Sequence, residues 1–347
     1  MTGVGPRRLA LEAGGIFLGA LGILMMLAPD APFTKELGVC ESGAVRDVLA
    51  GNFLLPRFIP GPIVHVPPLY WWSAAAAVRL IGWNELALRI PALVPAALTG
   101  AIIYGWVLTR FNREAAFWAA AALLLDHFFL DAARQPRMDS MLALFVTAAM
   151  IALERAIATR RRGWFGAAAI AIGLGCLTKG ILGIALPGAV AAVYLIVRRR
   201  WAELFRVDLI VAFAAGLAIG LSWYVAGYEI AGRKFLQWQI GMNLWSRFIP
   251  AAAGGANYCV HPIWYFAPQI LIGFLPWSLF IPALAAAMWS EREPSIPEPI
   301  VYALCWFGGI FVLFSLSRGK CPVYILPAFP PLAVLIGWTF AGACEEA

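Results

Sequence analysis

Charge is scarce in this chain. Asp, Glu, Lys and Arg supply 13% of its 347 residues, where an average soluble domain has about 25%. That scarcity excludes an ordinary water-soluble globule. The mean hydropathy of +0.80 agrees. Histidine is rarer still, with three residues, too few for a His-rich metal site. The six cysteines (Cys40, Cys176, Cys259, Cys305, Cys321, Cys344) include no C-x-x-C pair, so zinc and thioredoxin-type redox motifs are unsupported. No basic stripe interleaved with aromatics lies in a soluble segment. The net charge of +7 therefore does not mark a nucleic-acid partner. Arg160-Arg161-Arg162 and Arg198-Arg199-Arg200 instead sit at the ends of apolar runs, where basic residues set topology. No internal repeat is evident and few charges fall in mid-run, unlike a channel or an inverted-repeat transporter.

Long apolar runs are what the chain does have. A hydrocarbon core takes about 20 residues of helix. On that scale spans fall at roughly 9–28, 88–108, 114–132, 138–157, 163–177, 179–197, 207–227, 264–288, 299–316 and 322–341. The expected class is an all-α polytopic membrane protein with about ten transmembrane helices. The first run follows Arg7-Arg8, but Met25-Met26-Leu27-Ala28-Pro29 puts bulk where a leader cleavage site needs small residues, so it reads as a retained span. The run at about 67–82 is short, and reads as a helix in the interface with Tyr70, Trp71 and Trp72 at headgroup depth. With the N-terminus inside, the two triple-Arg clusters fall inside. The segments at about 30–87, 132–138, 178, 228–263 and 317–321 then fall outside. Residues 1–347 are read as one polytopic domain whose loops 30–87 and 228–263 form the working face.

The outer segments collect the residues that could do chemistry. Glu41 lies in a short amphipathic helix, where the plain alternative is a solvated face. Asp139 follows Arg134 and Arg137 at the start of a span, where it could serve as a helix cap or as an ionised base. His65 precedes Pro67-Pro68, which fix an extended backbone. Lys179 interrupts two apolar runs, so it either snorkels to the interface or meets an anion. Lys320 and Tyr324 stand at another outer junction, and Arg247 and His261 lie in the loop 228–263. Carboxylates and cations on one face suggest group transfer from a lipid-linked phosphate.

These residues in this order resemble a known family. The pattern runs through Glu41, Pro56-Arg57, His65-x-Pro67-Pro68-Leu69-Tyr70-x-Trp72, Arg89-Ile-Pro91, Arg137-x-Asp139 and Leu177-Thr178-Lys179-Gly180. It continues through Asn243-x-x-x-Arg247-Phe248, Gly273-Phe274-Leu275-Pro276-Trp277-Ser278 and Lys320-x-Pro322-x-Tyr324-x-Leu326-Pro327. It looks like the bacterial membrane glycosyltransferases related to protein O-mannosyltransferases, which include the aminoarabinose transferases acting on lipid A. The resemblance implies a GT-C fold and a long first outer loop carrying interfacial helices. It also implies a multi-pass protein of the bacterial inner membrane with its site facing the periplasm. The partners implied are a polyprenyl-phosphate sugar donor, membrane lipids and a lipid, glycan or protein acceptor. Glu41, Asp139 and His65 match the catalytic positions. Arg137, Lys179, Arg247, Lys320 and Tyr324 match the donor-phosphate positions. No cofactor is assigned; a divalent metal near Glu41, His65 and Asp139 would find a thin ligand set. Two positions depart from the pattern: Val66 stands where relatives have Lys, and Cys40 where they often have Asp. A carrier-binding protein or translocase without catalysis, or a decayed family member, is the competing reading.

Overall fold

The computed structural model describes residues 5–31, 35–58, 61–64, 66–240, 260–290, 296–317 and 319–345. Among these residues the regular structure is helical, with two isolated β-bridges, Arg57 to Ile63 and Val260 to Gly319. Helix α1 (Pro6–Leu27) leads to α2 (Lys35–Leu49) and α3 (Leu69–Ile81). Then come α4 (Glu85–Arg110), α5 (Arg113–Leu124), α6 (His127–Arg134), α7 (Asp139–Thr159), α8 (Arg162–Lys179) and α9 (Leu182–Val197). Helix α10 (Val207–Ile240) precedes α11 (Phe266–Gly273), α12 (Ile281–Ser290), α13 (Glu298–Leu316) and α14 (Phe329–Glu345). Six described helices are long and apolar enough to cross a membrane, or eight if each of two bent pairs counts as one span. The chain is a multi-span membrane protein.

Local chemistry sets the helix ends. Asn84 and Asn112 cap α4 and α5 by accepting from Ala87 N at 2.9 Å and Ala115 N at 2.8 Å. Asp126 does the same for α6, accepting from Phe129 N at 2.7 Å. That cap corrects the expected span 114–132: a new helix starts inside it, bent by 58° from α5. The run 264–288 is likewise not one helix. Phe266–Gly273 and Trp277–Trp289 meet at 102° around Pro276, which lacks the N–H a continuing helix needs. Helix α10 departs in the other direction. It continues past the expected end near 227 to Ile240, so the start of the supposed loop 228–263 is helical, interrupted at Gly232 with φ 65°.

The interior is built around α4 and α7, whose apolar windows are 72% and 78% buried, whereas that of α1 is 11% buried and lies at the periphery. Helix α7 has 21 residues and α8 has 18. At 1.5 Å per residue they hold their ends about 30 Å apart, roughly the thickness of a hydrocarbon core. Ionisable residues gather at these two ends. Asp139 and Lys179 mark one; Arg160, Arg162 and Arg206 mark the other.

Candidate active site

The first segment of the site is a hairpin of helices. Asp47, near the end of α2, ties the connection behind it by accepting from Asn52 Nδ2 at 2.9 Å and Arg57 N at 2.7 Å. Pro67-Pro68 then deliver the chain into α3. The first aromatics of α3 are packed inside the protein. Tyr70 and Trp71 are buried, because the first turn of α3 packs against α2 and α4. Tyr70 OH donates to Leu88 O at 2.8 Å and Trp72 Nε1 to Phe53 O at 2.6 Å. Trp71 Nε1 donates to the Glu41 carboxylate. Helix α10 fastens the same segment from above, through Trp223 Nε1 to Leu54 O at 2.6 Å and Gln239 Nε2 to Val64 O at 3.0 Å.

Glu41 is therefore not on a solvated face. It is 6% exposed. Burial pushes its carboxyl up to about 7, against the opposing hydrogen bond from Trp71. Arg137 and Asp139 are close enough to act on it electrostatically, the first lowering and the second raising its proton affinity. A carboxyl poised near neutrality is what a general base requires.

Asp139 opens α7 without capping it; the cap position is Met138, which makes no side-chain cap bond. The buried Asp139 carboxylate instead pairs with Lys179, and with Arg137 Nε at 3.3 Å. Lys179 does not snorkel. Its side chain is 8% exposed, and its ammonium lies over the Tyr324 ring, 4.7 Å from the centroid. Gly180 ends α8 at φ 64°, and a side chain there would meet the Tyr224 hydroxyl at 2.8 Å. The turn that aims Lys179 at Asp139 therefore needs glycine. Asp139, Cys321 and Tyr324 all lie close enough to Arg137 to act on it electrostatically.

The structure thus brings Glu41, Asp139, Arg137, Lys179 and Tyr324 to one end of the bundle. Lys320 is at that end too, but its buried ammonium donates to Ser317 O and to His261 O at 3.0 Å. Burial pulls it below the usual lysine range. It fastens the chain around His261 in this state rather than joining the Asp139 cluster. His65 and Arg247 lie outside the described residues.

Two contributors went unassigned from sequence. Trp71 is the partner of Glu41, and its only signal was its place in the Pro-Pro-Leu-Tyr-Trp-Trp run. Arg89, fully buried at 1% exposure, binds Ala28 O, Ala31 O at 2.9 Å, Arg134 O at 3.1 Å and Glu85 Oε2 at 3.2 Å. It knots the ends of α1, α4 and α6 together below the site.

Residues 65–224 match the family model of dolichyl-phosphate-mannose-protein mannosyltransferases. The chain is 31% identical over 297 residues to the undecaprenyl phosphate-alpha-4-amino-4-deoxy-L-arabinose arabinosyl transferase of Pseudomonas aeruginosa strain LESB58, covering 84% of this chain and 52% of that protein. The fold is similar to the crystal structure of ArnT from Cupriavidus metallidurans bound to undecaprenyl phosphate, with TM-score 0.82 and 26% identity, covering 96% of this chain and 60% of that one. It also shares the fold of the archaeal oligosaccharyltransferase AglB from Archaeoglobus fulgidus, with TM-score 0.61 and 15% identity over 96% of this chain and 50% of that one. The chain spans about half the length of the curated relatives it matches.

Proposed function

We propose, from its kinship with the GT-C-fold membrane glycosyltransferases related to protein O-mannosyltransferases and aminoarabinose transferases, that this chain moves a sugar from a polyprenyl-phosphate donor to a lipid, glycan or protein acceptor. The reaction takes place on the outer face of a bacterial inner membrane, where the segments 30–87 and 228–263 face the periplasm.

The observation that carries the proposal is the buried Glu41, set within electrostatic reach of Asp139 and Arg137 while Lys179 bridges Asp139 and the Tyr324 ring. In the reaction, ionised Glu41 takes the proton of the acceptor hydroxyl. The acceptor oxygen attacks the anomeric carbon from the face opposite the phosphate. The carbon–oxygen bond to phosphate breaks, and its electron pair leaves as phosphate charge, which Lys179 and Arg137 stabilise. Asp139 holds both cations in place and supplies the second carboxylate. By their matches to the family pattern, Arg247 and Lys320 are assigned to the donor phosphate and His65 to the catalytic set. No metal is assigned a step. A carrier-binding protein without catalysis would have no use for a buried carboxylate poised near pH 7, and Glu41 would then be expected to face water.

The test is transfer in proteoliposomes holding the full chain, a polyprenyl-phosphate-linked sugar and a lipid acceptor, followed by release of polyprenyl phosphate. Glu41→Gln and Asp139→Asn are each expected to lower the rate by at least about 100-fold, the range of a lost general base. If both leave transfer intact, the assignment is wrong.

A further inference from the structure

The other end of the bundle holds a recess that the transfer reaction does not use. Helices α8 and α10 touch closely near their middles. A Cβ on Gly216 would come within 2.7 Å of Ile172 Cγ2, and one on Gly220 within 2.3 Å of Cys176 Cβ. Toward the Arg160 end they leave a cavity of about 630 Å³, in the size range of small-ligand sites, about 300–1,000 Å³. Three arginines from separate segments line it: Arg160 at the end of α7, Arg162 at the start of α8, and Arg206 before α10. Arg160 adopts a left-handed backbone, φ 59°, which non-glycine residues rarely take up.

Two acids are close by. Glu203 pairs with Arg160 at 2.8 Å and with Arg200 at 2.8 Å, and Asp208 pairs with Arg206. Arg162 makes no ion pair among the described residues. Counting Arg160, Arg162, Arg200 and Arg206 against Glu203 and Asp208 leaves two positive charges at the mouth. The floor is apolar, made by Phe165, Ala169, Val211, Ala212 and Ala215. From Arg162 to Ala169 it runs about 10 Å along α8. Val207 and Val211 are 76% and 57% exposed along its side, and Trp201 and Phe205 are 66% and 75% exposed on the preceding turn. Exposed aromatics of this kind mark headgroup depth.

A cationic mouth above an apolar trough, at the headgroup level of a membrane span, fits one class of ligand. We propose that the recess between α8 and α10 binds an anionic phospholipid of the leaflet opposite the active site. The arginines take the phosphate, and the first methylenes of one acyl chain lie along Phe165 and Ala169. A soluble phosphate would use the arginines but leave the trough unused. A zwitterionic lipid would bring its own cation into a positive mouth.

The experiment is native mass spectrometry of the purified full chain, delipidated and titrated with phosphatidylglycerol or phosphatidylcholine of matched chain length. Wild type is expected to retain phosphatidylglycerol over phosphatidylcholine. Each exposed arginine contributes about fivefold to binding an anionic surface, so Arg160→Gln with Arg162→Gln is expected to lower phosphatidylglycerol retention by roughly 25-fold and leave phosphatidylcholine unchanged. Ala169→Phe, which fills the trough and leaves every charge in place, is expected to lower phosphatidylglycerol retention as well. Arg79→Gln, on α3, is the control and is expected to change nothing. The proposal is overturned if both altered proteins, folded by circular dichroism, retain phosphatidylglycerol as wild type does. It is also overturned if glycerol phosphate displaces the lipid at equal concentration, which would make the site one for a soluble anion.

Discussion

Replacing Glu41 by Gln removes a charge while keeping the shape of the side chain and an oxygen that can still accept from Trp71 Nε1. The substitution should therefore separate what Glu41 does for stability from what it does for chemistry. Its carboxyl moves from an ordinary 4.5 to about 7 on folding. At ~1.36 kcal/mol per tenfold change in proton affinity, that is a penalty of about 3 kcal/mol for the ionised form in the folded protein. The sign follows from proton binding. Between pH 4.5 and 7 the folded chain holds the Glu41 proton and the unfolded chain has released it, so rising pH erodes the stability of the wild type. The penalty is absent below about 4.5 and complete above about 7. Glu41→Gln never pays it. In matched detergent at pH 8 the variant is expected to be the more stable protein by up to about 3 kcal/mol, with the gap closing toward pH 4.5. Thermal unfolding across a pH series measures this. Transfer should show the opposite preference: absent in the variant, and in the wild type rising with pH through about 7 as the base ionises. Equal pH dependence of unfolding in the two proteins would refute the argument, as would a wild-type transfer rate that is flat between pH 5.5 and 8.

The Lys179–Asp139 pair should behave as a buried ion pair. Lys179→Met alone is expected to destabilise by about 3 kcal/mol, because Asp139 is left with only Arg137, and adding Asp139→Asn should recover most of the loss; chemical denaturation of the four proteins in a double-mutant cycle measures the coupling. Gly220→Ala is expected to cost about 1–3 kcal/mol, because the new methyl would lie 2.3 Å from Cys176 Cβ. Gly308→Ala, in a helix position with open space around it, should be neutral or slightly stabilising; unfolding temperatures compare the two.

Hydropathy located the spans well where burial and apolarity coincide, as in α4 and α7. It failed where the backbone bends inside an apolar run. Asp126 and Pro276 are single residues in segments that otherwise read as continuous, and the bends depend on local capping and a missing N–H rather than on composition. The end of α10 was missed for the converse reason. Polar residues such as Glu229, Arg233 and Lys234 read as loop, but a helix outside the apolar core tolerates them. At the site, the pattern of carboxylates and cations was legible because both are rare in this chain. Which of them touch was not. Glu41 looked equally suited to a solvated face, and its burial depends on Trp71, thirty positions away. Lys320 looked like a free phosphate contact, and whether it reaches Ser317 O or the Asp139 cluster is decided by a turn that no spacing rule describes.

The Arg89 knot bears on how the chain is made. Its guanidinium carries a full charge into the end of α4, and a cation on an inserting helix costs up to about 3 kcal/mol unless partners are at hand. Most of those partners, Ala28 O and Ala31 O at the end of α1 and Glu85 one turn earlier, are synthesised before Arg89 itself. The first helix has little buried surface to hold it beside the rest. The carbonyls that follow it, at Ala28 and Ala31, are buried against the Arg89 guanidinium, so this one side chain fixes the end of the leading span against α4. A cation that could not enter the bilayer alone is thus also the clasp that ties the peripheral first span to the rest of the bundle.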